Sequence, residues 1–505
     1  MSHQASLRQK EIIQYEFNRI FQEQNSEASL NFPQVAKLLI EKNNKKIFEK
    51  INKFISKQSY QKNEFEDLKI EFTRQEVFTV LLMMYLNAFE KQNNCDNRSG
   101  FNQINMERIK QSNTIQAQQK LKCIHQYFVN FYEQVLNDEI KLESIQTKIQ
   151  QLEYEREELD KRIKQLKDCQ NDIRNSMNQK KIKEDEIIEF IRRVDQREFD
   201  YKFTGDSCQM YLNQGKCEDF QNSILVNFAD KNVGGLSLDD KNIAQEEILM
   251  LTHPEAIISM LFMKPMAKDE AVLIKNVIRF NDYIGYESTF RYKAEKYFDS
   301  QIIENNKEPI KNDILCMDAL YYSDWISQFE DKFIKRELKK SYIAFSLAID
   351  QSEKESISTG KWGCGIFNGD SELKFLIQWL TFSKALQKNL QKNKEIQDNF
   401  NNQQNLNQNT QEFLKGMQKQ DYQQQSRIHQ QYSENQNRRD QNTQNQLQLD
   451  QQQSDNQNNR FLYFSTFGDE GCERLIRRYL NKREQLENIN QFIINLQKDC
   501  KNMKY

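Results

Sequence analysis

Glu246 and Glu247 are adjacent carboxylates within ILVNFADKNVGGLSLDDKNIAQEEILML, residues 224–251. Such a pair can do acid–base chemistry if one carboxyl stays protonated at neutral pH, and burial or a neighbouring negative charge has that effect. The stretch reads as a strand, a two-glycine turn at Gly234 and Gly235, a polar loop, and a helix that opens on the two glutamates. A glycine turn feeding a helix N-terminus can hold a diphosphate, because free backbone N–H groups and the positive helix end point at it. Two carboxylates there would repel that diphosphate. The pair is therefore either a helix-start charge preference or a site where a carboxyl acts on something beside a diphosphate.

The frame around this stretch is large. The chain has 505 residues, 72 basic and 74 acidic, with a formal net charge of −2. That length suits two or three domains. The near-neutral balance gives no whole-chain argument for nucleic acid or an anionic membrane. No run approaches the ~18 apolar residues that span a bilayer, and the polar start MSHQASLRQKEIIQYEF lacks a signal core. The expectation is an intracellular protein, nuclear and/or cytoplasmic. Nine cysteines contain no CxxC pair, and the four histidines are scattered. A structural zinc site is not expected at that spacing, and the overall expectation is no metal and no cofactor. Four prolines and 13 glycines leave turn punctuation scarce, which favours helix.

Residues 1–137 read as a helical N-terminal accessory region, with buried-helix patterns at 72–90 and 115–136. Residues 138–198 read as a coiled-coil or helical-hairpin insertion. From Leu142 to Met177 apolar positions alternate at 3–4 spacing, with Arg156 and Gln170 as polar seam positions. The seam would span about 54 Å. It suits either a hairpin closed by residues 180–195 or self-association as a parallel dimer. From about 200, apolar runs at 223–228, 270–278, 313–320 and 460–467 alternate with helical patterns at 246–263, 324–347 and 371–389. That alternation implies an α/β layer with a substantially parallel sheet. It places an α/β domain at 199–389, with a last strand and C-terminal helix at 460–505. Residues 390–459, dominated by Gln and Asn, read as a disordered insertion after a helix ending near Leu386.

Four ordered segments resemble the poly(ADP-ribose) glycohydrolase family: VGG…QEEILML (233–251), DYIGYESTFRY (282–292), STGKWGCGIFNGDSELKFLIQ (358–378) and YFSTFGD (463–469). In the helical half, TRQEVFTVLLMMYLNAF is similar to the family's accessory-domain helix. The resemblance implies a macrodomain-like α/β catalytic domain, its mixed sheet flanked by helices. It implies hydrolysis of ribose–ribose O-glycosidic bonds, with release of ADP-ribose and a place in the DNA damage response. The implied partners are poly(ADP-ribose) and poly(ADP-ribosyl)ated proteins, with no direct nucleic acid and no membrane. Glu247 is the implied general acid and base, with Glu246 beside it on ribose hydroxyls and Asn227 in the preceding strand. The implied substrate contacts are Asp230, Gly234, Gly235, Gln245, Tyr286 (adenine stacking), Lys361, Trp362, Gly363, Gly365, Phe367 and Phe467.

The departures from the family cluster in the same site. Leu236 stands where a third glycine is usual, and Asp239 and Asp240 follow it. The order Asn227-Phe228-Ala229-Asp230 exchanges the family's acid and amide, and Lys361 replaces an asparagine. An Asp230–Lys361 pair is one expectation. The alternative function is a weak or silent ADP-ribose binder, or a coiled-coil scaffold with a degenerate pocket.

Overall fold

The computed structural model describes residues 32–59, 65–86, 106–132, 182–241, 243–294, 309–418, 460–480 and 485–502, with isolated positions between 167 and 171. The coiled-coil seam therefore lies almost wholly outside the described residues. Ten strands run along the described chain: β1 Phe65–Thr73, β2 Ile187–Asp195, β3 Met210–Asn213, β4 Ile224–Ala229, β5 Glu270–Ile278, β6 Asn281–Ile284, β7 Arg291–Ala294, β8 Lys311–Asp318, β9 Ser356–Gly360 and β10 Phe461–Ser465. The chain divides into two compact units. The first holds residues 1–198 and 218–320, the second 199–217 and 321–505.

In the first unit the strand order is β1-β2-β5-β8-β4. Three of these pairings are antiparallel, and only β8 with β4 is parallel. The sheet is thus mixed, and here it is not substantially parallel. Two of the antiparallel pairings come from β1 and β2, which sequence reading assigned to helical regions, and the third joins β5 and β8, both read as strands. β2 in particular is a strand where the return arm of a helical hairpin was expected. Its sequence IIEFIRRVD combines β-branched and aromatic residues that fit a pleated surface, and a partner on each side supplies the ladder that decides the matter. A separate hairpin pairs β6 with β7.

The helix Arg74–Tyr85 starts at a capping box. The Glu76 N–H donates to Thr73 Oγ1 at 3.1 Å, and the Thr73 N–H donates back to Glu76 Oε2 at 3.0 Å. Its aromatic face, with the helix Ile115–Phe131, builds the core of this unit: Phe78 stacks on Phe131 at 4.8 Å and meets Phe128 edge-on at 5.6 Å. Fully buried Arg74 fastens the helix start. Its guanidinium donates to Glu255 at 2.5 Å and to Glu186 at 2.9 Å.

In the second unit β9, β10 and β3 run parallel in that order. The helices Asp331–Gln351 and Ser371–Gln418 belong to it. The second helix does not stop near Leu386. No glycine or proline interrupts residues 371–415, and Gln and Lys are good helix formers, so the helix continues past its buried part into the Gln/Asn-rich stretch. Residues 419–459 of that stretch lie outside the described residues. No described helix is long and apolar enough to cross a membrane.

His253 shows how the first unit responds to acid. It follows the helix Gln245–Thr252, fully buried. Its Nδ1 lies 3.2 Å from the Leu249 carbonyl, and the Asn312 amide lies 3.2 Å from Nε2. With Asn312 donating, the imidazole is neutral. Burial, then the charge of Arg279, lowers its pKa from 6.5 to about 3. The folded state therefore binds fewer protons than the unfolded chain, and stability falls as pH drops from 6.5 toward about 3. The slope approaches about 1.4 kcal/mol per pH unit. In thermal melts across this window, His253→Gln is expected to show a flatter acid slope than the parent. Equal slopes would rule the account out.

Candidate active site

The helix Gln245–Thr252 is held against β4 by its first side chain. The Gln245 amide accepts from the Phe228 N–H at 2.9 Å and donates to the Val226 carbonyl at 3.0 Å, as a neighbouring strand would. Gln245, expected among the substrate contacts, bonds the β4 backbone through both atoms of its amide, which places the next two residues. Those residues, Glu246 and Glu247, are both buried.

Each carboxylate is met by donors. Glu246 accepts from the Asn227 side chain at 3.1 Å, the Gly234 N–H at 2.8 Å and the Asp230 N–H at 2.8 Å. Glu247 accepts from the Leu236 N–H at 2.8 Å and from the Ala244 N–H at 2.8 Å. The Ala244 bond is an ordinary helix-start interaction. The Leu236 bond is not, because it draws the glycine loop onto the second carboxylate. Burial, and then the charge of Glu247, push the Glu246 carboxyl well above its usual range, despite the donors that favour its ionised form.

The loop solves its own backbone problem. Gly234 and Gly235 take φ of +97° and +48°, while Leu236 is not among the residues with positive φ. A third glycine is therefore not required for this turn. Asp239 and Asp240 do not stand as bare charges either. Arg108 approaches Asp239 at 2.6 Å and Asp240 at 3.2 Å. Lys120 donates to the Leu236 and Asp239 carbonyls at 2.8 and 2.6 Å. Sequence reading missed Arg108 and Lys120. Lys120 and Leu236 are 116 positions apart, and no local pattern links them. Asp230 accepts from the Asn232 backbone and side chain, both at 2.9 Å.

Tyr286 stands beside this cluster and is 45% exposed. Its phenol is pushed up to about 12 by burial, then by Glu287, with Glu247 contributing. The first unit therefore gathers Asn227, Asp230, Gly234, Gly235, Gln245, Glu246, Glu247 and Tyr286.

The second unit holds the other expected residues. Trp362 is fully buried, with the Lys374 ammonium 4.1 Å from its ring centroid. Gly363 has φ +72°, and the Gly369 N–H closes the loop onto the Gly363 carbonyl at 2.9 Å. Gly365 is exposed. Phe367 meets Tyr321 edge-on at 6.3 Å. Lys361 Nζ lies 3.2 Å from Asp469; Lys361 and Asp230 thus each have a partner within their own unit. Phe467 has φ +55°, a strained conformation for a bulky residue.

Two family models match the chain. One, "Poly (ADP-ribose) glycohydrolase (PARG), helical domain", covers residues 31–156, and the other, "Poly (ADP-ribose) glycohydrolase (PARG), Macro domain fold", covers residues 201–392. The chain belongs to the poly(ADP-ribose) glycohydrolase family. Its α/β part has that family's macro-domain fold, preceded by the helical domain. It is 29% identical over 200 residues to a probable poly(ADP-ribose) glycohydrolase 2 of Arabidopsis thaliana, covering 32% of this chain and 38% of that protein. It is 32% identical over 179 residues to poly(ADP-ribose) glycohydrolase 1 of Caenorhabditis elegans, covering 33% of this chain and 22% of that protein. The matches thus span well under half of each relative. A solved poly(ADP-ribose) glycohydrolase of Thermomonospora curvata, bound to the inhibitor ADP-HPD, aligns at 15% identity and a TM-score of 0.23, covering 34% of this chain and 64% of that one. Among the described residues no group of three or more His, Cys, Asp or Glu could hold a metal ion.

The glycine turn of this family member gives a direct structural test. A Cβ at Gly235 would lie 2.5 Å from Glu246 Oε2 and 2.6 Å from Glu247 Oε1, at a φ that disfavours side chains. A Cβ at Gly365 would meet nothing within 4 Å. Gly235→Ala is expected to cost about 1–3 kcal/mol in urea denaturation, and Gly365→Ala no more than about 0.5 kcal/mol. Equal costs would contradict the contact between the turn and the carboxylates.

Proposed function

We propose that the chain hydrolyses the ribose–ribose O-glycosidic bonds of poly(ADP-ribose) and releases ADP-ribose. Glu247 gives its proton to the departing ribose oxygen as the glycosidic C–O bond breaks through an oxocarbenium-like state. It then takes a proton from the water that attacks the same carbon. Glu246 holds ribose hydroxyls, and Asn227 orients Glu246. The observation that carries this reading is the pair of buried carboxylates drawn up to the glycine turn, with the Asp230 and Gly234 N–H groups donating to Glu246 and the Leu236 N–H to Glu247. A helix cap would need only the Ala244 bond. The names of the relatives support the same substrate class.

Further residues fit supporting roles. Tyr286, exposed and within the field of Glu247, suits a stacking platform for adenine. Phe467 suits orientation of the ribose next to the scissile bond, since strain at a bulky aromatic is retained where function needs it. The Gly363–Gly365 loop suits close approach to a diphosphate. The rewritten 236–240 segment is compatible with activity, because its two aspartates are paired with Arg108.

Incubation of the purified protein with labelled poly(ADP-ribose) is expected to release free ADP-ribose, with the rate lowered about a hundredfold or more in Glu247→Gln. Release undiminished in that variant would remove Glu247 from the mechanism. Binding of the polymer without release would make the protein a silent reader.

A further inference from the structure

The segment after the glycine turn carries two aspartates where an anionic ligand is expected, and the helical region answers both. Arg108, on the helix Met106–Gln111, pairs with the Asp239 and Asp240 carboxylates at 2.6 and 3.2 Å. Lys120, on the helix Ile115–Phe131, is fully buried and donates to the carbonyls of Leu236 and Asp239. Thr114, the N-cap of that same helix, donates to the Asp240 carbonyl at 3.1 Å. The residue between the clamp and the glutamates is Leu236. Its carbonyl takes Lys120, and its N–H is given to Glu247 at 2.8 Å. The segment is thus gripped on one side by the helical region and on the other by the carboxylate pair.

We infer that Arg108 and Lys120 form a basic clamp that positions the 236–240 segment and neutralises its aspartates, so that an acidic loop can lie beside the diphosphate of ADP-ribose. The inference rests on the functional reading above. Neither residue touches the reacting atoms, so both are positioning residues. Lys120 sets the peptide planes on the C-terminal side of Leu236. Arg108 lowers the repulsion that the two aspartates would exert on a diphosphate. Positioning and neutralisation can be separated, because neutralisation alone becomes dispensable when the aspartates are removed.

The test compares the parent, Arg108→Gln and the triple variant Arg108→Gln/Asp239→Asn/Asp240→Asn, with thermal melts confirming that each folds. ADP-ribose binding is titrated at low and high salt, and amide exchange across 234–241 is followed in the same proteins. Arg108 is about half exposed, so the expected loss in Arg108→Gln is modest: about threefold weaker binding at low salt, shrinking at high salt. The triple variant is expected to return to within about twofold of the parent, since unpaired charge and not lost anchoring is what weakens the single variant. Lys120→Met is expected to exchange faster across 234–241, and Lys120→Arg to restore part of the protection. Binding unchanged in Arg108→Gln, or a triple variant no better than the single one, would overturn neutralisation. Unchanged exchange in Lys120→Met would overturn positioning. If the parent itself binds no ADP-ribose, the functional reading fails on its own. The exchange measurements still decide whether Arg108 and Lys120 hold the loop.

Discussion

Two carboxyl groups placed side by side at the start of a buried helix are the constraint to which the rest of the first unit answers. Neither Glu246 nor Glu247 can move far into water, so the structure brings donors to them. The loop from Asp230 to Leu236 supplies three backbone N–H groups, and Asn227 supplies a side-chain amide. That requirement bends the backbone. Gly234 and Gly235 adopt positive φ, and a side chain at Gly235 would strike both carboxylates. The glycine turn thus serves first as a sleeve around two acids. The same N–H groups that could face a diphosphate are already committed to the glutamates.

A sleeve of this kind needs a rigid mount. β4 provides one, because the Gln245 amide joins its backbone like an extra strand residue. On the far side the helix Gln245–Thr252 is buried along its whole length. The aromatic core around Phe78, Phe128 and Phe131 holds the helices Arg74–Tyr85 and Ile115–Phe131 together, and the second carries Lys120 to the loop. Buried Arg74 ties the accessory region to Glu255, just beyond the site helix. Breaking such a pair by removing one partner leaves an uncompensated buried charge and is strongly destabilising. The helical region is therefore part of the site's support.

Much of the fold was legible where the chain repeats a simple period. EAVLIKNVI at 270–278 is β5 to the residue, and β4, β8 and β10 fall within a few positions of their apolar runs. β1 and β2 were not legible. FEDLKIEFT alternates, but it sits between helical patterns, and only its antiparallel partner makes it a strand. The helix from Ser371 was cut short in sequence reading because burial ends well before helical propensity does. In the site, the QEE tripeptide and the glycine turn were readable as a unit, since their contacts are nearly local. The jobs of individual residues were not. The burial of Trp362 beneath Lys374 is a tertiary fact, and Asp239 and Asp240 read as a flaw until Arg108 is seen against them.

The sequence by itself determined the family, the strand that carries Asn227, the turn that needs Gly234 and Gly235, and the tripeptide at 245–247. These depend on residue type and short spacing, which steric and hydrogen-bonding rules translate directly. Only the tertiary structure decided how the two carboxyls are buried and met by donors, how an acidic loop is tolerated, and which residues hold it. Those outcomes depend on burial and on charges brought together from distant parts of the chain. Lys120 and Leu236 meet across 116 positions, and no local signal records such a meeting.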